Sequence, residues 1–272
     1  MLKHFDMELQ TALITGAGGL LGPIHAQALA EQNCNLIITD IELEKIESLQ
    51  QNLTKDFPKC NIQALKMDVT SHSSIENVYN ILQKGNISID VLVNNAAVNP
   101  VESELNLDFR FEKFNNESFQ REFEVGLLGS VLCCKIFGSH MANNKKGSII
   151  NIASDLSVIS PNQTLYAKDG LPRNLQQVKP ISYSIIKTGL IGMTKYLATY
   201  WASDNVRVNA ISPGGVFDNQ NLDFIEKISS LIPMGRMCRK EELAGAVQFL
   251  ASNASSYVTG QNLIIDGGRS VW

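Results

Sequence analysis

The chain has 272 residues, a net charge of −4 and 44% apolar residues, enough to bury a complete core without disulfides or a metal. Acidic and basic residues are mixed along it, so it lacks the basic face that nucleic-acid binding requires, and no run of about 18 apolar residues marks a membrane span. Taken from the N-terminus, short apolar runs at 11–15, 35–40, 62–66, 91–94, 148–152, 207–211 and 263–265 alternate with amphipathic stretches at 23–32, 42–57, 73–84, 118–141, 182–201 and 240–251. That alternation predicts an α/β fold: a doubly wound parallel sheet of about seven strands with helices on both faces. Several runs are apolar at consecutive positions, as strands covered on both sides are. No repeat, low-complexity tract or linker divides the sequence, and one domain over 1–272 is expected.

Two segments break the alternation, at 98–117 and 156–180, and 216–232 reads as a lid. The first is polar with Pro100, and the second carries Pro161, Gly170, Pro172 and Pro180 and reads as a long irregular loop. In an open α/β sheet ligands bind beyond the carboxyl ends of the strands, so these segments are expected to wall a substrate site. Cys34, Cys60, Cys133, Cys134 and Cys238 show no CxxC spacing and no clustering with histidine. They read as free thiols, with no metal site and no disulfide framework. Residues 1–10 carry no charged-then-apolar leader, and the expected location is the cytoplasm.

The first strand runs into Thr15-Gly16-Ala17-Gly18-Gly19-Leu20-Leu21-Gly22, and a helical pattern follows. Glycines there allow a tight turn and close backbone approach to a pyrophosphate, while the helix N-terminus offers N–H groups and partial positive charge. Gly16, Gly19, Leu21 and Gly22 are the candidate contacts. The next strand ends on Asp40, about twenty residues on, where a carboxylate accepts hydrogen bonds from an adenosine ribose and repels a 2′-phosphate. No arginine follows immediately, so NAD is favoured over NADP. Asp40 also suits a cap for the following helix, and both readings stand.

Further marks follow in order: Asn94-Asn95-Ala96-Ala97 after the fourth strand, Ser154 after the fifth, Tyr183-Ser184-Ile185-Ile186-Lys187, Asn209-Ala210-Ile211-Ser212-Pro213-Gly214, and Asp266-Gly267-Gly268. With these the chain resembles the short-chain dehydrogenase/reductase family from its first strand to its C-terminus. It is similar to members encoded among bacterial surface-sugar genes. The resemblance implies a Rossmann-type NAD(P)-binding domain that moves a hydride between nicotinamide and a secondary alcohol or ketone, with Ser154, Tyr183 and Lys187 catalytic. It implies that Asp68 and Val69 face the adenine, although Asp68 equally suits a strand-end cap. Asn95, Ala96 and Ala97 would pass under the cofactor, and Tyr183 and Lys187 would reach its nicotinamide ribose. Pro213 and Gly214 would lie beside the nicotinamide, with Val216 at the carboxamide. A homodimer or homotetramer, joined through the Tyr183 helix and the C-terminal strand, is implied as well.

The residues support the acid/base pair independently. At i and i+4 of a helix, Tyr183 and Lys187 share a face, and a nearby ammonium favours phenolate. A tyrosine so activated can take or return a hydroxyl proton, while Ser154 holds the substrate oxygen. Tyr166 lies closer to Ser154 in sequence, but four residues on stands Gly170, so it lacks the lysine.

Three positions depart from the family pattern. Leu20 replaces a glycine, giving TGxxGxxG, which resembles the extended branch of the family. Gly126 stands where many members carry an asparagine that holds a water beside the lysine, and Asp218 stands in place of a threonine. Lys168, Arg173 and Lys179, with Arg236 and Arg239, suggest a polyhydroxylated or anionic substrate such as a sugar, sugar phosphate or sugar acid. Ordinary solvated loop charges are the alternative. A 3-oxoacyl or other carbonyl reductase, and a non-catalytic NAD-binding regulatory subunit, are the competing functions.

Overall fold

The computed structural model describes residues 4–98 and 109–272. Seven strands, β1 (Thr11–Thr15), β2 (Asn35–Asp40), β3 (Ile62–Lys66), β4 (Val91–Asn94), β5 (Gly147–Ile152), β6 (Val206–Pro213) and β7 (Asn262–Ile265), form one sheet in the order β3-β2-β1-β4-β5-β6-β7. Every pairing is parallel. The chain starts in the middle, winds out to β3, returns to place β4 beside β1, and winds out the other way. The strand order therefore reverses between β1 and β4, and the crevice beyond their carboxyl ends is where a ligand fits such a sheet. The predicted doubly wound, Rossmann-type fold is borne out.

The side-chain period of two sends alternate residues of each strand to opposite layers. Ala12, Ile14, Leu36, Ile38, Val91, Val93 and Ile150 enter one core. Leu13, Ile37, Leu92 and Ile149 enter the other. Helices α1 (Gly22–Ala30) and α2 (Leu43–Asp56) pack on the first face. Helices α3 (His72–Lys84), α4 (Asn116–Asn143) and α5 (Ile181–Tyr200) pack on the second. Caps set the starts: Ser71 Oγ accepts from Ser74 N–H at the head of α3, and Asn115 Oδ1 from Ser118 N–H at the head of α4.

Helix α4 widens into π-type turns at Glu124–Leu128 and Cys134–Gly138. By length and composition it is apolar enough to cross a membrane. Here Cys133, Cys134, Phe137 and Met141 are built into the core instead. The predicted strands are found, with β5, β6 and β7 extended by one to three residues.

The substrate-side segments differ from expectation in one respect. Half of 98–117, residues 99–108, lies outside the described residues. Segment 156–180 is irregular, with short 3₁₀ turns at Gln163–Tyr166 and Arg173–Leu175. Segment 216–232, read as a loop, holds helix α6 (Leu222–Ser230), capped by Asn221 Oδ1 on Phe224 N–H at 2.8 Å. An asparagine cap followed by Phe224, Ile225 and Ile228 is a helix signal that the polar flanks obscured. The last helix, α7 (Ala244–Ala251), is preceded by a 3₁₀ turn at Lys240–Leu243.

Candidate active site

At the end of β1, Gly16 has φ +61°, and a Cβ there would stand 2.7 Å from Ala96 Cα. Thr15 Oγ1 accepts from the N–H groups of both Asn95 and Ala96 at 3.0 Å, and Asn95 Nδ2 donates to Thr15 O at 3.0 Å and Gly16 O at 2.8 Å. The glycine turn and the Asn95-Ala96 segment are thus stitched edge to edge across the switch point. Helix α1 docks directly beneath, since a Cβ on Gly22 would meet Ala17 O at 2.4 Å. Leu21, at its N-cap, provides no side-chain cap, so the first amides of α1 face the turn uncapped, the arrangement that receives a phosphate.

Asp40 caps α2 and braces the glycine turn. Its Oδ1 accepts from Glu42 N–H at the head of α2, and its Oδ2 accepts from Gly18 N–H, each at 3.0 Å. Gly18 escaped the sequence reading, although a Cβ there would meet Lys45 Cβ at 2.9 Å and Asp40 Oδ2 at 3.2 Å. Asp68 serves as a strand-end cap: its Oδ1 takes the Thr70 N–H and hydroxyl at 2.9 and 2.7 Å. Val69 is buried against Gly129 of α4. Gly214 lies where a Cβ would touch Asp266 Cα at 2.8 Å, and its N–H donates to Ile265 O. Val216 bridges to Cys238.

A buried chain of side chains sets the other wall. Asn94 Nδ2 donates to Asn151 Oδ1, and Asn151 Nδ2 to Thr194 Oγ1, each at 2.8 Å. This fixes β4, β5 and α5 in register. It places Ser154, just past β5, against Tyr183 and Lys187 near the start of α5. Ser154 and Lys187 are buried and Tyr183 is half-buried. The Tyr183 phenol faces Ser154 closely enough for that hydroxyl to act on its ionisation. Lys187 Nζ donates to Ile152 O at 2.8 Å and stands 5.7 Å from the Tyr183 ring centre, while Lys179 Nζ lies over the same ring at 4.1 Å.

The electrostatics differ from the sequence expectation. Burial pushes the Tyr183 phenol up, the Ser154 hydroxyl works against that, and the Asp155 carboxylate adds to it. Burial, helped by Lys179, pulls Lys187 down to about 8. In the protein alone, desolvation therefore sets the direction of the phenol's shift, opposite to the one expected from a neighbouring ammonium.

Gly126 backs directly onto α5, where a Cβ would meet Ile186 Cγ2 at 2.9 Å, so the place of the relay asparagine is closed by packing. Asp218 pairs with Lys240 at 2.6 Å. The predicted basic rim does not assemble. Arg236 makes two 2.7 Å bonds to Glu242, Arg239 joins the same carboxylate, and Lys168 and Arg173 are exposed. Lys179 alone of the five reaches Tyr183. Tyr166 packs on Phe224 of α6, ring centres 5.8 Å apart.

Family comparison agrees with this arrangement. Residues 10–168 match the short chain dehydrogenase model, and residues 167–270 match that of enoyl-(acyl carrier protein) reductase. This chain belongs to the short-chain dehydrogenase/reductase family. It is an oxidoreductase of that family, whose members use NAD(P). It is 31% identical to a NAD-dependent glycerol dehydrogenase of Listeria innocua, over 99% of this chain and 97% of that one. It is 32% identical to a 3-oxoacyl-(acyl-carrier-protein) reductase of Thermotoga maritima, over 96% and 98%. A gluconate 5-dehydrogenase from Burkholderia cenocepacia, solved with NADP and tartrate, superposes with a TM-score of 0.86 at 26% identity, over 100% and 99% of the two chains. The glycine turn, the uncapped α1 and Asp40 fit the dinucleotide that this dehydrogenase family uses.

Proposed function

We propose that this dehydrogenase is NAD-dependent and oxidises a secondary alcohol on a polyol, sugar, sugar phosphate or sugar acid, or reduces the matching ketone. The observation that carries it is the Tyr183 phenol held between the Ser154 hydroxyl and two ammonium groups, at the edge where β4 and β5 end. Ser154 holds the substrate oxygen and steadies charge that develops on it. Tyr183 removes the hydroxyl proton during oxidation or returns it during reduction, with Lys187 favouring the phenolate. Nicotinamide, when bound, is the hydride acceptor or donor. Gly16, Gly19, Leu21 and Gly22 would hold its pyrophosphate, and Asp40 the adenosine ribose. Asp68 and Val69 would border the adenine. Asn95, Ala96 and Ala97, with Pro213, Gly214 and Val216, would line the path to the reacting ring.

The carboxylate of Asp40 favours NAD, because a 2′-phosphate beside it is repelled. The NAD-dependent glycerol dehydrogenase, a relative of similar length, supports NAD and a small polyhydroxylated substrate. Lys179 beside Tyr183 suits a substrate with an anionic group. The similarity to the Thermotoga maritima reductase favours a second reading, reduction of 3-oxoacyl thioesters. Cytoplasmic location and a homodimer or homotetramer complete the proposal. Tyr196 and Tyr200, stacked at 5.7 Å and about two-thirds exposed on α5, give such an interface apolar surface.

The test is NAD-linked absorbance over polyols, sugars, sugar phosphates, sugar acids and acetoacetyl thioesters, with Tyr183→Phe alongside. Turnover with the sugar-type classes, reduced by on the order of a thousandfold in the variant, supports the proposal. Turnover confined to the thioesters overturns it in favour of the second reading.

A further inference from the structure

Beyond the three residues proposed to act on substrate lies a charged pair in the core. Arg269 Nη1 and Asp155 Oδ2 meet at 2.8 Å with both side chains under a tenth exposed. Taking two charges out of water is costly before their attraction offsets it, so an ion pair this deep has to be built deliberately. The sequence builds it with the turn after β7. Asp266 accepts from Gly268 N–H at 2.9 Å and from Ser270 N–H at 2.7 Å, and Gly267 and Gly268 take φ +66° and +89°. A Cβ on Gly267 would meet Ile232 Cγ2 at 2.7 Å. Two glycines with left-handed backbone thus let the turn double back beside the substrate-side segment and send Arg269 inward. The same turn holds that segment through Met234 N–H on Gly267 O.

The other oxygen of Asp155 accepts the Ser154 hydroxyl at 3.0 Å. A hydroxyl has one proton to give and two lone pairs. The Ser154 oxygen also accepts the Leu156 N–H at 3.2 Å, so in the resting site its proton is parked on Asp155, from which it can turn to the Tyr183 phenolate or to a substrate oxygen as negative charge develops there. We propose that Asp155 and Arg269 are positioning residues: the carboxylate orients the Ser154 hydroxyl, and the guanidinium screens that carboxylate from Tyr183. The proposal rests on the role given above to Tyr183 and Ser154.

The groups around Tyr183 are Ser154 and Asp155 from the segment after β5, Lys179 from the loop before α5, and Lys187 from α5 itself. Glu122 of α4 is engaged by the Ser182 hydroxyl. Among the described residues, Asp155 is the one anion that opposes the phenolate directly. Arg269 therefore limits an unfavourable charge that the orientation of Ser154 requires.

The deciding experiment needs no substrate, so its failure is separable from failure of the proposed reaction. In the full chain, tyrosinate absorbance is titrated against pH, and the Tyr183→Phe trace is subtracted to isolate Tyr183. Asp155→Asn keeps shape and polar atoms but removes the charge, and should move Tyr183 ionisation to lower pH. Arg269→Gln should move it to higher pH, and Arg269→Lys should restore it. With a substrate in hand, Arg269→Gln should lower kcat/KM by up to about a hundredfold, as a small misplacement of a reacting group does, with KM changing little. Should Arg269→Gln not fold, Asp155→Asn decides alone. An unmoved Tyr183 in that variant, or shifts in the same direction for Asp155→Asn and Arg269→Gln, overturns the proposal and leaves a purely structural pair.

Discussion

The two sides of the crevice are held in different ways. On the cofactor side, the side-chain bonds of Thr15, Asn95 and Asp40 are backed by backbone packing without slack: Gly16 against Ala96 and Gly22 against Ala17 leave no room for a Cβ. On the substrate side, segment 156–180 is held by amide side chains reaching to main chain. Gln176 alone exchanges bonds with Lys168 N–H, Lys168 O and Leu171 O at 2.6 to 2.9 Å. Gln163 likewise holds both main-chain groups of Lys179, and Arg110 reaches Arg173 O and Gln176 O. A fold that receives one constant ligand can be rigid there, whereas a wall assembled from exchangeable side chains can vary without disturbing the sheet.

The sharpest way to break that comparison is Gly16→Val. A β-branched residue at φ +61° is strained by about 1–3 kcal/mol, and its Cβ would enter the Ala96 backbone. The expected result is loss of cofactor binding by about a hundredfold or more, together with a lower Tm. Normal NAD affinity in a calorimetric titration would show that the turn is less constrained than its contacts indicate.

Asp40→Ser tests the same side more gently. It removes the carboxylate that accepts from Gly18 and Glu42 and the charge that would oppose a 2′-phosphate. The ratio of kcat/KM for NAD to that for NADP should fall by about ten- to a hundredfold, in line with the ~1–3 kcal/mol lost when a buried polar partner is removed. An unchanged ratio would leave Asp40 as a cap for α2 and nothing more.

Legibility in the sequence follows the same division. Consecutive apolar runs gave the strands, and ordered short motifs located the glycine turn, Ser154, Tyr183 and Lys187, because these depend on local spacing or strict backbone fit. Asp155 and Arg269 escape notice as contributors to the site, and Lys179 is legible only as one of several loop cations, not as the neighbour of Tyr183. Arg269 lies 114 residues from Asp155 in the chain, and nothing local to either one signals the pair. The basic rim was misjudged for a related reason: Arg236 and Arg239 share Glu242 a few residues away, a pairing that composition cannot separate from convergence on a pocket. Helix α6 was hidden because its inward side is completed by Leu165 and Met237 from other segments.

On the substrate side, Gln176→Ala should leave the sheet and cofactor binding intact. Losing several side-chain bonds to main chain, each worth about 1 kcal/mol, should raise KM a few-fold and make 168–176 the first site cut in limited proteolysis. Unchanged KM and cleavage would mean that the packing of Leu165 and Tyr166 on α6 holds the segment without Gln176.

The smallest expected effect concerns pH, and it ties the two sides together through Lys187. Burial, and then Lys179, lower the Lys187 ammonium from its ordinary 10.5 to about 8. Below about 8 both folded and unfolded chains hold that proton, and the folded state bears the full cost of a buried charge. Between about 8 and 10.5 the folded chain releases it while the unfolded chain keeps it, so this group's contribution makes stability rise with pH across that window. If the ammonium is needed for turnover, activity should fall as pH rises through the same region. Lys179→Gln removes the second cation and should raise Lys187. The alkaline limb of kcat/KM would then move to higher pH, and the rise in stability, followed by denaturant unfolding at a series of pH values, would begin later. A limb that stays in place would show that burial alone sets Lys187, and that Lys179 is there for the substrate rather than for the acid/base pair.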